Sequence, residues 1–288
     1  MSEVAPERIR KVVDRISGLP TLPVILSAIN KLMVNPRTSA KEVAQLISSD
    51  PAITSKVLRV VNSSFYGFPN RISTVTHAIV ILGFNTIKSI VLSTSIFDAL
   101  KKPGKYAAFD RAAFWRHSIA VGACSRVLAK RLGFTALEEF FIAGLLHDIG
   151  KIILDTYLSE DFHRILQKVR DTDGLLFEAE QELLGVSHAD LGGWLLERWN
   201  LSAGLVATVA HHHNPSLAGE NLKAAAIVHF GDILARALLI GSGGDRRIPQ
   251  VSDAAWTALG LRADAFPGLL AECWEESEKA MIFLEFAR

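Results

Sequence analysis

Eight polar positions stand out by type and order in the 288-residue chain: His117, the adjacent pair His147 and Asp148, His188, the triplet His211, His212 and His213, and Asp232. Imidazole nitrogens and carboxylate oxygens together suit Fe, Mn, Zn, Co or Ni, and one carboxylate can bridge two such ions. Two ions a few ångströms apart are the usual apparatus for activating water against a phosphate ester. A lone histidine in a helical protein is most often a hydrogen-bonded core or surface residue, but that reading explains each position singly and not the set.

The segment Leu145-Leu146-His147-Asp148-Ile149-Gly150-Lys151 sharpens the point. It closes an apolar helix with two polar groups, ahead of a glycine expected to cap it. Burying both without partners would be costly, and a bound cation would satisfy them together. Neighbouring helical positions diverge by roughly 100°, so His147 and Asp148 reach one point only near a helix end. Within the triplet, His211 and His213 would diverge by roughly 200° if the segment stayed helical, so one of the three is a spectator that spacing does not identify. His229, three residues before Asp232 on the same face, is either a substitute ligand or support for one. His77 and His163 have no ligand-type neighbours and are read as structural.

Helices must position these groups. Apolar residues recur at helical spacing, as in Val43, Leu46, Ile47 and then Ile53, Val57, Val60, Val61, while strand-like alternation hardly occurs. Ser39 with Glu42 forms a capping-box pattern, Asp50-Pro51 is an N-cap followed by proline, and Asn85 is expected to cap a helix after Gly83. Breaks fall at Lys101-Lys102-Pro103-Gly104-Lys105 and at Gly241-Ser242-Gly243-Gly244-Asp245. The expected organisation is an N-terminal helical part over 1–108, a metal-bearing helical part over 109–240, and closing helices over 241–288.

With 49% hydrophobic residues the chain has ample core, and a net charge of +1 with scattered cations leaves no electrostatic footprint for nucleic acid. Ala40 to Val61 has the length of a helix-turn-helix, but Lys56 and Arg59 are isolated cations, so DNA binding is not expected. The most apolar stretch, Val75 to Phe97, is interrupted by His77, Asn85 and Lys88, which favours buried helices over a membrane span. Met1 to Ser17 is charged and lacks an apolar signal core, and Cys124 and Cys273 are in no metal-type spacing. Both observations lead to the expectation of a reducing, cytoplasmic setting.

The order H, HD, H, HH, D resembles the HD superfamily of metal-dependent phosphohydrolases, and His147-Asp148-Ile149-Gly150-Lys151 resembles its HD-GYP branch. Leu19-Pro20-Thr21-Leu22-Pro23, Asp50-Pro51-Ala52-Ile53, Val61-Asn62-Ser63-Ser64 and Ala78-Ile79-Val80-Ile81-Leu82-Gly83 are similar to the HDOD domain, an HD-related output domain of bacterial signalling proteins. Together the resemblance covers about Val12 to Ile240.

The resemblance implies an all-α, multi-helix HD-superfamily bundle with an N-terminal helical HDOD subdomain. It implies one metal held by His117, His147, Asp148 and Asp232 and a second by His188, His212 and His213, with Asp148 bridging and His211 as the spectator. The two divalent ions would be Fe or Mn, with Zn or Ni as alternatives. Lys151 and Asp148 would be the catalytic residues, Lys151 approaching either the bridging hydroxide or a substrate phosphate as a compact point charge. Asn214-Pro215 stands where HD-GYP proteins carry a Glu and then the GYP segment, so preference for a cyclic dinucleotide is not implied. Ala113, one turn before His117, leaves out the carboxylate of three-metal members. The functional expectation is a bacterial signal-transduction protein with a metal-occupied site, acting as a phosphohydrolase on a phosphate-ester or nucleotide ligand. The alternative is a non-catalytic module that senses a ligand or binds a signalling partner around a structural metal.

Overall fold

The computed structural model describes Glu7, Val12, Val13, Ile16, Gly18, Leu19, Thr21 and residues 24–287 apart from Pro36, Pro103 and Ala107. Pro20, Leu22 and Pro23 of the Leu19–Pro23 motif lie outside the described residues, as does most of the Met1–Ser17 stretch. Among the described residues there is no strand, and the fold is all-α as expected. The chain divides into two compact units, a larger one of residues 1–19 and 102–278 and a smaller one of residues 20–101 and 279–288.

In the smaller unit, α1 (Val24–Val34), α2 (Ala40–Ser48) and α3 (Pro51–Val61) pack with α4 (Val75–Ala99). Two of the three expected caps form here. The Ser39 hydroxyl accepts from the Glu42 amide at 3.3 Å while the Glu42 carboxylate accepts from the Ser39 amide at 2.8 Å. Asp50 accepts from the amides of Ala52 and Ile53 at 2.9 and 3.1 Å, with Pro51 in the first turn where its missing N–H costs nothing. The i, i+3, i+4 spacing then turns Val43, Ala44 and Ile47 of α2, and Val57, Val60 and Val61 of α3, into the core. Each buried valine or isoleucine side chain contributes about 1.5–3 kcal/mol. The C-terminal 3-10 segment Met281–Phe286 completes this unit, with Phe283 edge-on to Phe65 at 5.6 Å and Arg59 paired to Glu285 at 2.7 Å.

α4 is long and apolar enough to cross a membrane by length and composition, and half of its most apolar window is buried. It is interrupted at Gly83, whose φ of 81° and ψ of 166° are non-helical. The break therefore falls at Gly83 itself, and Asn85 lies inside the second segment instead of capping it.

The larger unit is built around α5 (Arg111–Arg131), buried along most of its length from Phe114 to Ala129. α6 (Leu137–Leu146) and α12 (Leu222–Ala237) pack on it. Around them run α7 (Ile149–Tyr157), α8 (Ser159–Thr172), α9 (Leu176–Leu184), α10 (His188–Arg198) and α11 (Ala203–Ala210). α13 (Asp253–Leu259) packs on α12, and α14 (Phe266–Ala280) follows. On α14, Glu275 and Glu278 are exposed, whereas Glu276 is half-buried and accepts from Arg126 at 2.9 Å. Cys124 and Cys273, remote in sequence, are both buried, and a hydrogen bond between them together with burial pushes the Cys273 thiol up from its ordinary value.

Candidate metal centre

Each candidate side chain is delivered by a helix end or by the buried face of a helix. His147 and Asp148 form the two-residue junction between α6 and α7, which frees both from helical divergence. Gly150, expected to cap a helix, instead lies inside α7. Its role is close approach, because a Cβ there would overlap the carbonyl oxygen of His188 at the start of α10. The triplet lies in the turn after α11, with His211 as its C-cap. This brings the His212 and His213 rings to 4.0 Å, while His211 joins neither cluster of ligand atoms.

Two groups of ligand atoms converge, Asp148 with His188, His212 and His213, and Asp148 with His117 and His147. Within each group the atoms lie within 4.8 Å of one another, and Asp148 belongs to both. His188 Nε2 is 2.9 Å from Asp148 Oδ1 and 2.9 Å from His213 Nε2. On the other side, His147 Nε2 and His117 Nε2 are 3.3 and 3.8 Å from Asp148 Oδ2. Asp232, on α12, stands outside both groups but adjoins the second, its Oδ1 2.9 Å from His117 Nε2. That contact lacks the alignment of a hydrogen bond. The same Oδ1 accepts from Arg236 Nε at 2.8 Å.

The tautomers follow from the partners. His147 Nδ1 faces the Gly144 carbonyl at 2.7 Å and His212 Nδ1 faces the Val209 carbonyl at 2.7 Å. A carbonyl only accepts, so both Nδ1 atoms carry the proton, and in the neutral ring both Nε2 atoms present lone pairs. Those lone pairs, together with His117 Nε2 and Asp148 Oδ1, are buried without a hydrogen-bond partner. Lone pairs turned toward a carboxylate repel unless a cation lies among them, so the residues present fit a divalent metal.

Supporting contacts surround this set. Glu180 on α9, fully buried, accepts from the His188 amide at 2.7 Å and from His188 Nδ1 at 2.6 Å, the carboxylate–histidine arrangement that orients metal ligands. His229 uses both ring nitrogens, donating to the His212 carbonyl at 2.9 Å and accepting from the Ser252 amide at 3.1 Å, so it supports the triplet and is not a ligand. Phe177 stacks on His213 at 4.4 Å. Lys151, fully buried on α7, donates to Asp148 Oδ2 at 2.6 Å. His77 is exposed and His163 stacks on Tyr106 at 4.7 Å, and neither joins a ligand group.

Burial holds His117 below the usual imidazole value, and His212 and His213 well below it. For His188 burial acts in the same sense, but Glu180 and Asp148 outweigh it and the pKa is raised. Burial also works against ionised Asp148 and Asp232. His147, Lys151 and His188 nevertheless hold the first carboxylate well below its ordinary range, and Arg236 and His117 hold the second there.

Sequence reasoning missed Glu180 and Arg236. Glu180 shares the face of Leu176 and Ala179, an acid on an apolar stripe, which was a usable signal. Arg236 follows Asp232 by one helical turn.

An all-α bundle with converging His and Asp side chains is the architecture of the HD class. The HDOD domain model matches residues 19–215, and the chain belongs to the HDOD family. It is 27% identical over 213 residues to an uncharacterized protein of Treponema pallidum, covering 74% of this chain and 41% of that protein. The chain thus spans about two fifths of the length of the curated relative it matches. In fold it is similar to an HDOD domain protein of unknown function from Geobacter sulfurreducens, with TM-score 0.78, 24% identity, and coverage of 96% of this chain and 99% of that one. It is similar also to a "Putative phosphohydrolase" from Shewanella amazonensis, with TM-score 0.75, 24% identity, and coverage of 100% and 99%. Both likenesses concern the fold.

Proposed function

We propose that this HDOD protein is a bacterial signalling protein that holds two divalent transition-metal ions and hydrolyses a phosphate-ester or nucleotide ligand. The observation that carries the reading is the set of buried, unpartnered Nε2 atoms of His117, His147 and His212 turned toward Asp148. His117, His147, Asp148 and Asp232 would hold one ion, and His188, His212 and His213 the other, with Asp148 common to both. Mixed nitrogen and oxygen donors favour Fe or Mn, with Zn or Ni as alternatives. When bound, the ions supply a water nucleophile at neutral pH and positive charge for the phosphoryl oxygens.

The protein's own groups do the rest. Glu180 keeps the Nδ1 proton of His188 in place and its Nε2 aimed at Asp148. Lys151 brings a desolvated ammonium to Asp148 Oδ2, where it stabilises negative charge growing on a phosphoryl oxygen. The burial of these groups excludes bulk water, which strengthens each of these interactions.

The test pairs elemental analysis of protein produced with metal supplied with a hydrolysis screen against a generic phosphodiester and several cyclic nucleotides. Close to two ions per chain is expected. Lys151→Ala is expected to keep the metal and to lower turnover on the order of a hundredfold, about 3 kcal/mol. Metal-free protein under those conditions would refute the metal assignment, and equal turnover in Lys151→Ala would remove the role of Lys151.

One observation favours a second reading. Of the seven proposed ligands only His213 is half-exposed, the others being at most 2% exposed. A sealed centre suits a structural metal in a sensing or protein-interaction module. Metal-loaded protein inactive across the whole panel would select that reading.

A further inference from the structure

The segment Val61-Asn62-Ser63-Ser64 contributes nothing to the metal centre, but within the smaller unit Asn62 has a defined task. At the C-cap of α3 its Nδ2 donates to the Leu58 and Ile72 carbonyls, each at 2.8 Å, and its Oδ1 accepts from the Ile72 amide at 2.7 Å. One side chain thus ties the segment 63–71 back onto the helix it leaves. Its shape is set before anything docks on it.

This segment and α3 wall an open cleft of about 1030 Å³, a volume that suits a small molecule. Arg59 and Arg71 line it, and none of the described lining residues is acidic. Arg71 is exposed and has no hydrogen bond or ion pair among the described residues. Arg59 meets Glu285 through Nη1 at 2.7 Å, an exposed pair of the kind that contributes little. The hydroxyls of Ser55 and Ser73, also on the lining, are uncommitted among the described residues. Phe68 is half-buried and adds a ring face to the wall. A cleft lined by one sign of charge concentrates counter-ions. Guanidinium forks match phosphate oxygens, hydroxyls match a sugar, and an aromatic ring matches a flat base.

We propose that this cleft binds a nucleoside monophosphate, its phosphate held by Arg59 and Arg71 and its base lying on Phe68. Every lining residue comes from the smaller unit, so the site stands whether or not the metal centre holds ions or hydrolyses a substrate.

The experiment is calorimetric titration of the full chain with AMP, GMP, CMP, UMP, adenosine and inorganic phosphate, with hydrogen exchange at saturation to place the bound nucleotide. At least one nucleotide is expected to bind saturably and to protect peptides within 55–73. Adenosine and inorganic phosphate should each bind at least about tenfold more weakly than the nucleotide. Arg71→Ala removes an exposed side chain that the fold does not use, and it is expected to weaken nucleotide binding at least about tenfold, with Arg59→Gln acting similarly. Glu285→Gln frees Arg59 and removes a neighbouring negative charge, so binding should tighten roughly threefold, a gain that damage to the fold would not produce. No nucleotide bound across the panel, affinity unchanged in both arginine variants, or protection confined to 102–278 would overturn the site. Metal content measured on the same samples reports on the metal reading separately.

Discussion

In the smaller unit the buried polar side chains among the described residues are Ser93, Thr94 and Ser95, all on α4. The larger unit buries His117, His147, Asp148, Lys151, Asp155, Asp161, Glu180, His188, His212, His229 and Asp232. Ser93 and Thr94 return their hydroxyl hydrogens to carbonyls of their own helix, at Ser89 and Ile90, and need nothing from elsewhere. The buried charges of the larger unit need one another across α5, α7, α9, α10 and α12. A core of the first kind is held by apolar burial alone, whereas one of the second kind is conditional on protonation and on whatever cation it holds.

That contrast can be broken experimentally, because all five tryptophans, at 115, 194, 199, 256 and 274, belong to the larger unit. Their fluorescence reports that unit, and hydrogen exchange followed peptide by peptide reports both. The largest effect is expected from Asp148→Ala, which leaves Lys151 buried without its carboxylate. It should cost about 3–5 kcal/mol, seen as lost protection within 102–278, together with loss of both metal ions. Retention of both ions would show that Asp148 is not shared.

Glu180→Gln keeps the shape and removes the charge behind His188. Metal affinity should fall roughly 10–100-fold in chelator competition while the fluorescence melt changes little. An unchanged affinity would reduce Glu180 to a packing residue.

Acid should separate the two units further. His212 and His213 are held well below the ordinary value of 6.5, so as pH falls through 6.5 the unfolded chain takes up protons that the folded chain refuses. Stability present above 6.5 is therefore lost on acidification, and His117 and His229 act in the same sense. His188, raised, acts in the opposite sense, and its contribution is fully present below 6.5. The net expectation for metal-free protein is a loss on the order of 1 kcal/mol per pH unit below 6.5 in denaturant melts read by fluorescence. The smaller unit, whose histidine is the exposed His77, should show no such slope in exchange. Equal slopes in both units would erase the distinction.

The smallest effect belongs to Ser39→Ala, which removes one side of the capping box on α2. About 1 kcal/mol of protection should be lost near residues 39–48, with tryptophan fluorescence unmoved.

Much of the fold was legible because its signals are local. Ser39 with Glu42 and Asp50 with Pro51 are caps written within four residues, and the structure builds both. The convergence of His147, Asp148, His188, His212 and His213 was legible as residue types, and the spectator status of His211 came from family resemblance. Where reasoning failed, the cause was tertiary. Gly150 next to a helix end looks like a cap, and only the approach of the His188 carbonyl gives it another purpose. Helical spacing would keep the His triplet from converging, whereas α11 ends at Ala210 and the turn brings His212 and His213 together. The glycine-rich run at 241–245 reads as a connection, yet Gly243 borders Lys151 and Asp148.

His147 and His212 share one further feature, each donating Nδ1–H to the carbonyl three residues before it, Gly144 and Val209. The orientation of each ring is thus a local property of its own chain segment, set without help from the opposite side of the centre. A cation entering such a site meets imidazoles whose rotational freedom has already been spent during folding. Capture should then be rapid and nearly free of an ordering penalty, and the rings should keep the same rotamers before and after it.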